Sequence, residues 1–169
     1  DWDGVNLGEL YFESLEGYLN PGRFTPFNAE VRAAFQQQHG FDPREMYDAQ
    51  SKRHHERDAR PMRLFLDFRA ALAGRLQEEW LARLESLRAA KPWLHLTLTH
   101  IDDRFDASMR DSLGADAARL LPAAQRHGAT FLVEDPATVW HLGPERYEEM
   151  ARRYAQIAPS PESLAIDIN

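Results

Sequence analysis

The chain has 169 residues, and its 20 Lys and Arg residues against 27 Asp and Glu residues give a formal net charge of −7. This acidic balance argues against a protein that follows nucleic-acid phosphates, because such a protein needs a basic surface. Hydrophobic residues make up 43% of the chain, cysteine is absent, and no apolar run approaches the roughly 20 residues of a membrane span. The sequence therefore predicts one globular domain without disulfides, thiolate chemistry or a membrane span.

Four short apolar segments with strand character alternate with amphipathic helical segments. The strands are predicted at residues 5–12, 94–101, 130–134 and 164–168. The last three begin about 35 residues apart, which is close to the length of a βαβ unit. A parallel sheet is therefore expected.

The first half of the chain contains three predicted helices. Thr25 and Pro26 are expected to begin the first one, which Gly40 ends, and a short second helix is expected after Asp42. The longest helix is predicted over residues 62–90, because apolar residues recur there at every third or fourth position. Its predicted buried stripe comprises Leu64, Phe65, Phe68, Leu72, Leu76, Trp80, Leu84 and Leu87.

Two more helices are predicted in the second half. Asp116 is expected to cap a short helix that runs to Leu121, and Pro122 is expected either to kink it or to open a second turn before His127 and Gly128. Gly143 and Pro144 are expected to begin the last helix, because proline is favoured in a first helical turn. Its predicted apolar side comprises Tyr147, Met150, Tyr154 and Ile157.

The order of these elements predicts an α/β fold. Four parallel βα units are half of a (β/α)8 TIM-like barrel, or the core of an open doubly wound sheet. The glycine-rich patterns that mark nucleotide-binding open sheets are absent, which favours the barrel. Residues 1–169 are thus expected to form a single segment of a barrel domain. Because a half-barrel leaves two strand edges unpaired, we expect a longer chain or a partner to close the sheet.

Side chains two positions apart in a strand lie on the same face of a sheet, so alternation predicts which residues face away from the helices. The residues expected on that inner face, near the strand ends, are Asn6, Thr99, Glu134 and Asp167. Glu9 has the opposite parity in a regular strand. It can face inward only if the first strand ends or bulges at Gly8.

Residues 3–12, with the sequence DGVNLGELYF, carry a family resemblance. They resemble the D-G-[hydrophobic]-x-[hydrophobic]-[DH]-[DE] strand of glycoside-hydrolase-like barrels, including family-10-like glycosyl hydrolases and the hydrolase domains of exopolysaccharide-processing enzymes. A looser similarity of pattern extends to about residue 101. The resemblance implies that Glu9 is an acting carboxylate. Gly8 stands where that family often has Asp or His.

Glycoside hydrolysis needs two carboxyl groups on either side of one glycosidic bond. Barrel enzymes place such groups at the carboxyl ends of their strands, where this sequence has the candidate catalytic residues Glu9, Glu134 and Asp167. The candidate substrate-binding residues are Asn6, Tyr11, His100, Asp102, Trp140 and Asn169, and Trp2 is a further candidate for stacking on a sugar. Asp103 and Asp135 are expected to be turn or capping residues.

Three functions remain open at this point. The leading hypothesis is a glycoside hydrolase-like domain that cleaves or binds a polysaccharide and needs no cofactor or metal. The alternatives are a divalent-metal-dependent barrel lyase that uses Glu134, Asp135 and Asp167, and a barrel that binds glycan without turnover. The expected partners are a carbohydrate polymer and the remainder of a longer chain, and not nucleic acid. The expected location is extracellular or periplasmic.

Overall fold

The structure, a computed structural model that describes residues 2–12, 16–158 and 160–168, contains one parallel four-stranded sheet. The strands are β1 Gly4–Leu7, β2 His95–Ile101, β3 Thr130–Glu134 and β4 Leu164–Ile166, and they lie in the order β1-β2-β3-β4. The prediction of a mixed α/β fold with four parallel strands is confirmed. A closed barrel stays a prediction. No helix in the described part of the chain is long and apolar enough to cross a membrane.

Helices connect the strands. The α-helices of the described residues are α1 Ala29–His39, α2 Ala59–Ser86, α3 Ser108–Leu113, α4 Ala117–Arg126 and α5 Glu145–Ala155. Single 3-10 turns lie at Gly17–Leu19, Pro43–Tyr47, Leu87–Ala89, Ala137–Val139 and Pro161–Ser163. The predicted long helix is confirmed as α2 followed by its 3-10 turn.

The caps of these helices follow the predicted chemistry with one exception. Asp116 accepts a hydrogen bond from the backbone N–H of Arg119 at the start of α4, and Gly40 ends α1 with φ 80. The prediction that α1 begins at Pro26 is wrong. The helix begins at Ala29, because the preceding segment buries Phe24 in an aromatic cluster instead of continuing the helix.

The buried side of α2 differs from the predicted stripe. Leu76 and Trp80 are 43% and 46% exposed, whereas Ala73 and Gln77 are buried. The buried side of α2 packs tightly at Gly74, since a Cβ added there would lie 2.5 Å from the side chain of Arg119 on α4 unless that side chain shifted. Of the predicted stripe, Phe65 and Phe68 are buried as expected, whereas Leu76 and Trp80 lie toward the surface. Leu64 and Leu87 are exposed in the same way.

The core lies on one face of the sheet. Leu81 of α2, Leu120 of α4 and Met150 of α5 pack in one cluster with Leu98 and Phe131 from the central strands. A second, mainly aromatic cluster holds α1 and the first half of α2 together; its buried members are Phe24, Phe35, Phe41, Met46, Met62, Phe65, Leu66 and Phe68. Since α2, α4 and α5 share one face, the other face carries the alternate residues of each strand.

Arg69 connects these layers from a fully buried position in α2. Its guanidinium donates hydrogen bonds to the carbonyl oxygen of Thr25 at 2.6 Å and to those of Asp111 and Ser112 at 2.7 and 3.1 Å. The ring of Phe24 lies 3.9 Å from its central carbon. Burial lowers the pKa of Arg69 to about 10, which leaves the group charged at neutral pH.

Replacing Arg69 by Met is expected to lower the free energy of unfolding by about 3 kcal/mol or more, because three carbonyl oxygens lose their donors at once. Urea unfolding measures the change. Arg75→Met, at an exposed position of the same helix, is the matched control and should change it by less than about 0.5 kcal/mol. Equal effects of the two substitutions would contradict the anchoring role of Arg69.

Candidate functional site

Glu9 lies just beyond the end of β1, in an unusual backbone conformation. The strand ends at Leu7, and Glu9 has φ 56, the only positive φ of a non-glycine residue in the described ranges. Such a conformation is costly for a residue with a Cβ and is typically maintained at functional sites. The prediction of a strand over residues 5–12 is wrong at its carboxyl end, because the strand ends before Gly8, which is the condition that an inward-facing Glu9 requires.

Three carboxylates lie at the carboxyl end of the sheet. Glu134 ends β3, and its pKa is raised first by burial and then by the negative charges of Glu9, Asp167 and Asp135. Tyr11 lies beside them, since burial and the charges of Glu9 and Glu134 raise its pKa to about 12. We call Glu9, Tyr11, Glu134 and Asp167 the carboxylate cluster. Its members come from the ends of three different strands.

Asn6 and Thr99 form a polar pair on the same face of the sheet as Glu134, further from the carboxyl ends of the strands. The Thr99 hydroxyl donates a hydrogen bond of 3.0 Å to the side-chain oxygen of Asn6. Thr99 pairs with Leu132 in β3, two residues before Glu134. The alternation that predicted Asn6, Thr99 and Glu134 on one face is therefore consistent with the observed register.

Trp140 follows β3 in the loop at this same end of the sheet. Its indole N–H donates to the carbonyl oxygen of Asp135 at 3.1 Å, while 57% of the residue is exposed. The hydrogen bond fixes the ring, and the exposed part offers a flat apolar surface. Trp2, by contrast, lies near Leu87 and Lys91 at the amino end of β1, away from the carboxylate cluster.

His100 and Asp102 are only 1% and 0% exposed, so we exclude both from the candidate site. His100 faces the helices, with its Nε2 3.0 Å from a carboxylate oxygen of Asp103. The Asp102 carboxylate accepts backbone N–H bonds from residues 104, 105 and 106 and so shapes the loop after β2. Asn169, the remaining candidate, lies outside the described residues.

Asp103 and Asp135 are buried and connect elements of the core. Asp103 accepts hydrogen bonds from the backbone N–H of Ala117 at the start of α4. Asp135 lies 2.8 Å from Nε of Arg146 in α5, on the helix side of the sheet. The metal set Glu134, Asp135 and Asp167 is therefore not assembled. Within the described ranges, no group of three His, Asp or Glu side chains is arranged to hold a metal ion.

One neighbour of the cluster has no counterpart in the sequence predictions. A cavity of about 230 Å³ lies between the segment after β1 and α2, lined by Glu9, Leu10, Tyr11, Phe12, Ala73, Leu76 and Trp80. The sequence signal for it was the group of small residues around Gly74. These small residues lie on the buried side of α2, whereas Trp80 lies on its exposed side.

Comparisons of the chain with family models, curated proteins and solved structures found no match. The class of protein is therefore defined by the fold and the site alone. It is an α/β protein whose parallel sheet has helices packed on one face and a cluster of three carboxylates and a tyrosine at its carboxyl end.

Because burial and neighbouring charges raise the pKa of Glu134, its ionised form destabilises the folded protein. Glu134→Gln is expected to raise the melting temperature at neutral pH by up to about 3 °C. The gain should be absent well below the ordinary carboxyl pKa, where Glu134 is protonated in the folded and unfolded chain alike. It should develop as the pH rises from the ordinary carboxyl pKa to the raised one, where the unfolded chain ionises before the folded one, and it should be complete above the raised pKa. Calorimetry across this pH range measures it.

Glu148→Gln, on the exposed side of α5, is the control for this comparison. Its melting temperature should follow that of the unmodified protein at every pH. A loss of stability in Glu134→Gln at neutral pH would contradict the electrostatic account of the cluster.

Proposed function

We propose that the protein is a glycoside hydrolase-like domain that cleaves a polysaccharide at the carboxylate cluster. The observation that carries the proposal is the placement of Glu9, Glu134 and Asp167 at three strand ends of one sheet edge, where the charges of Glu9 and Asp167 help to raise the pKa of Glu134. Glycosidic bond cleavage requires a protonated carboxyl group beside an ionised one. Carboxyl groups with different surroundings in one cluster meet that requirement.

In the proposed reaction Glu134 is the general acid. Its raised pKa favours retention of a proton, which it gives to the glycosidic oxygen as the bond to the anomeric carbon breaks. Glu9 or Asp167 then acts either as the nucleophile or as the base that takes a proton from the attacking water. The separation of the two carboxyl groups in the substrate complex decides between retention and inversion.

Other residues around the cluster suit a sugar ring. The exposed ring of Trp140 can stack on the apolar face of a pyranose. Tyr11 has a pKa of about 12 and therefore keeps its hydroxyl proton at neutral pH, so it can donate a hydrogen bond to a sugar oxygen. Asn6 can bind a hydroxyl through its amide N–H groups, while its oxygen accepts the bond from Thr99.

The same proposal includes the finer fold assignment, part of a (β/α)8 barrel. Consecutive strand order and helices on one face favour a barrel, since a doubly wound sheet has helices on both faces and a reversal of strand order. A carbohydrate polymer is the proposed substrate. An extracellular or periplasmic location is proposed with it, because polysaccharides of cell walls and matrices lie there.

The test is turnover of a panel of bacterial and plant cell-wall glycans. Glu9→Gln keeps the side-chain shape but removes titration, so turnover should fall by about 10²–10⁴-fold while glycan binding persists. Glu134→Gln should cause a loss of similar size and shift the pH profile. Glu148→Gln, on exposed α5, should stay within a few-fold of the unmodified protein.

Activity of Glu9→Gln equal to that of the unmodified protein would remove Glu9 from the mechanism and leave Glu134 and Asp167 as the pair. Glycan binding without turnover in the unmodified protein would instead support a non-catalytic carbohydrate-binding domain. The glycine at position 8, where the resembling family often has an acid or histidine, favours that second candidate. If the unmodified protein neither binds nor cleaves any glycan of the panel, both candidate functions are overturned.

A further inference from the structure

The loop between β3 and α5 carries Trp140 and is closed at its base by Arg146. Nε of Arg146 donates a 2.8 Å hydrogen bond to the carboxylate of Asp135, the first residue of the loop. Its Nη1 donates to the carbonyl oxygens of Leu142 and Gly143, near the other end of the loop, at 2.8 and 3.1 Å. One guanidinium therefore binds both ends of the same loop, which its fixed fork of N–H donors allows.

The pair formed by Arg146 and Asp135 is buried. The two residues are 9% and 1% exposed, and Nη2 of Arg146 also donates to the hydroxyl of Tyr147 at 2.6 Å. Desolvation offsets much of the attraction in a buried ion pair, so that such a pair is weak evidence for added stability. Its position across the base of a loop favours a role in fixing the geometry of that loop.

Asp135 connects this closure to the tryptophan. Its carboxylate binds Arg146, while its main-chain carbonyl oxygen accepts the indole N–H of Trp140 at 3.1 Å. Asp135 directly follows Glu134, the last residue of β3 and the proposed general acid. The indole ring is therefore hydrogen-bonded to the backbone one residue away from Glu134.

The middle of the loop is fixed independently of Arg146. Val139, which precedes Trp140, is buried, and its carbonyl oxygen accepts the backbone N–H of Leu142 at 3.0 Å. The hydroxyl of Thr138 donates to the carboxylate of Asp106, in the loop after β2, at 2.5 Å. These contacts fix the backbone before Trp140, whereas the contact through Asp135 fixes its ring.

Trp140 is nevertheless 57% exposed. Contact of a large apolar surface with water is unfavourable, so the exposed part of the ring contributes nothing to the packing of the loop. An exposed ring that is held in one orientation is preorganised for binding, because the cost of ordering it is met when the chain folds. The apolar face of a pyranose is a surface on which such a ring can stack.

We propose that Trp140 is the platform of a sugar subsite beside Glu134, and that Arg146 is the positioning residue that orients its ring through Asp135. A sugar subsite here means the binding position of one pyranose ring. The nature of the bound molecule rests on the proposed function. The role of Arg146 stands on the hydrogen bonds of the loop alone.

The indole N–H signal of Trp140 in NMR spectra tests the positioning role without any glycan. The chain has four tryptophans, and Trp140→Phe identifies the signal. Arg146→Lys keeps the charge beside Asp135 but removes the fork of donors. The Trp140 signal should then shift, and its exchange with solvent should become about 10-fold faster. An unchanged signal would overturn the positioning role, even in a less stable variant.

Arg152→Lys is the matched control for this measurement. Arg152 lies in the same helix, is exposed and pairs with Glu149. Its substitution should leave the shift and the exchange rate of the Trp140 signal unchanged. A change equal to that in Arg146→Lys would overturn the specific role of Arg146.

Two further measurements keep the positioning role testable if Arg146→Lys does not fold. Tyr147→Phe removes only the hydroxyl that binds Nη2 of Arg146, and it should move the Trp140 signal by a smaller amount. In the unmodified protein, the indole proton of Trp140 should exchange about 10-fold more slowly than that of Trp93, which is 59% exposed. Equal rates would show that the ring is not held, and would overturn the proposal.

Cellohexaose and chitohexaose, two soluble chains of pyranose rings, test the sugar subsite. Binding of either probe should perturb the Trp140 signal. Arg146→Lys should weaken that binding about 10-fold, and Trp140→Ala at least as much. In the Trp140→Ala background, Arg146→Lys should cause no further loss, because Arg146 acts through the ring. A further loss of the same size would overturn the positioning role.

The outcomes separate this proposal from the proposed function. If neither hexasaccharide perturbs the Trp140 signal of the unmodified protein, the sugar subsite is overturned, whereas turnover of the wider glycan panel still decides the proposed function. The exchange rate of the Trp140 indole proton is measured without glycan. It therefore decides the role of Arg146 whichever way the panel turns out.

Discussion

The arrangement of this protein depends on how α2 is fixed between the sheet and the aromatic cluster. Arg69 binds three backbone carbonyl oxygens near one end of the structure. Arg88, in the turn after α2, binds the carbonyl oxygens of Leu94, His127 and Gly128 at the other. A guanidinium can do this because its five N–H donors point in fixed directions. These two anchors, together with the contact between Gly74 and Arg119, restrict the rotation of α2 about its own axis and so favour its observed buried and exposed sides.

The candidate site differs from these compensated arginine contacts, because several carboxylates of like charge lie near one another there. Burial and three neighbouring carboxylates all disfavour the ionised form of Glu134, and Glu9 adds a left-handed backbone. Neither feature stabilises the fold. Two carboxylates elsewhere in the chain are instead paired with arginines. Asp42 lies 2.6 Å from a guanidinium nitrogen of Arg32, and Asp135 is paired with Arg146. This contrast between compensated and uncompensated acids is the physical basis for selecting the cluster as a site.

The positions of the four strands in the chain and the extent of α2 could be predicted from the sequence, because each depends on a local period, although β1 and β4 end before their predicted carboxyl ends. Alternation in residues 130–134 and the helical spacing from Phe65 to Leu87 need no knowledge of distant residues. Which side of α2 is buried could not be predicted in the same way, since it depends on the contact between Gly74 and Arg119. His100 illustrates the same limit. Parity assigns it to the helix face, but its bond to Asp103 appears only when the chain folds.

Glu9 and Tyr11 belong both to the carboxylate cluster and to the wall of the 230 Å³ cavity beside α2. Any side chain or molecule that packs in this cavity therefore touches the segment that holds Glu9 in its left-handed conformation. Such a shared wall couples packing in the cavity to the position of the Glu9 carboxylate, since free energy gained by packing can hold the segment in a conformation that it would otherwise leave more readily. The two surfaces are then constrained together in evolution. A substitution that improves packing against Tyr11 in this cavity would also change the position of the Glu9 carboxylate.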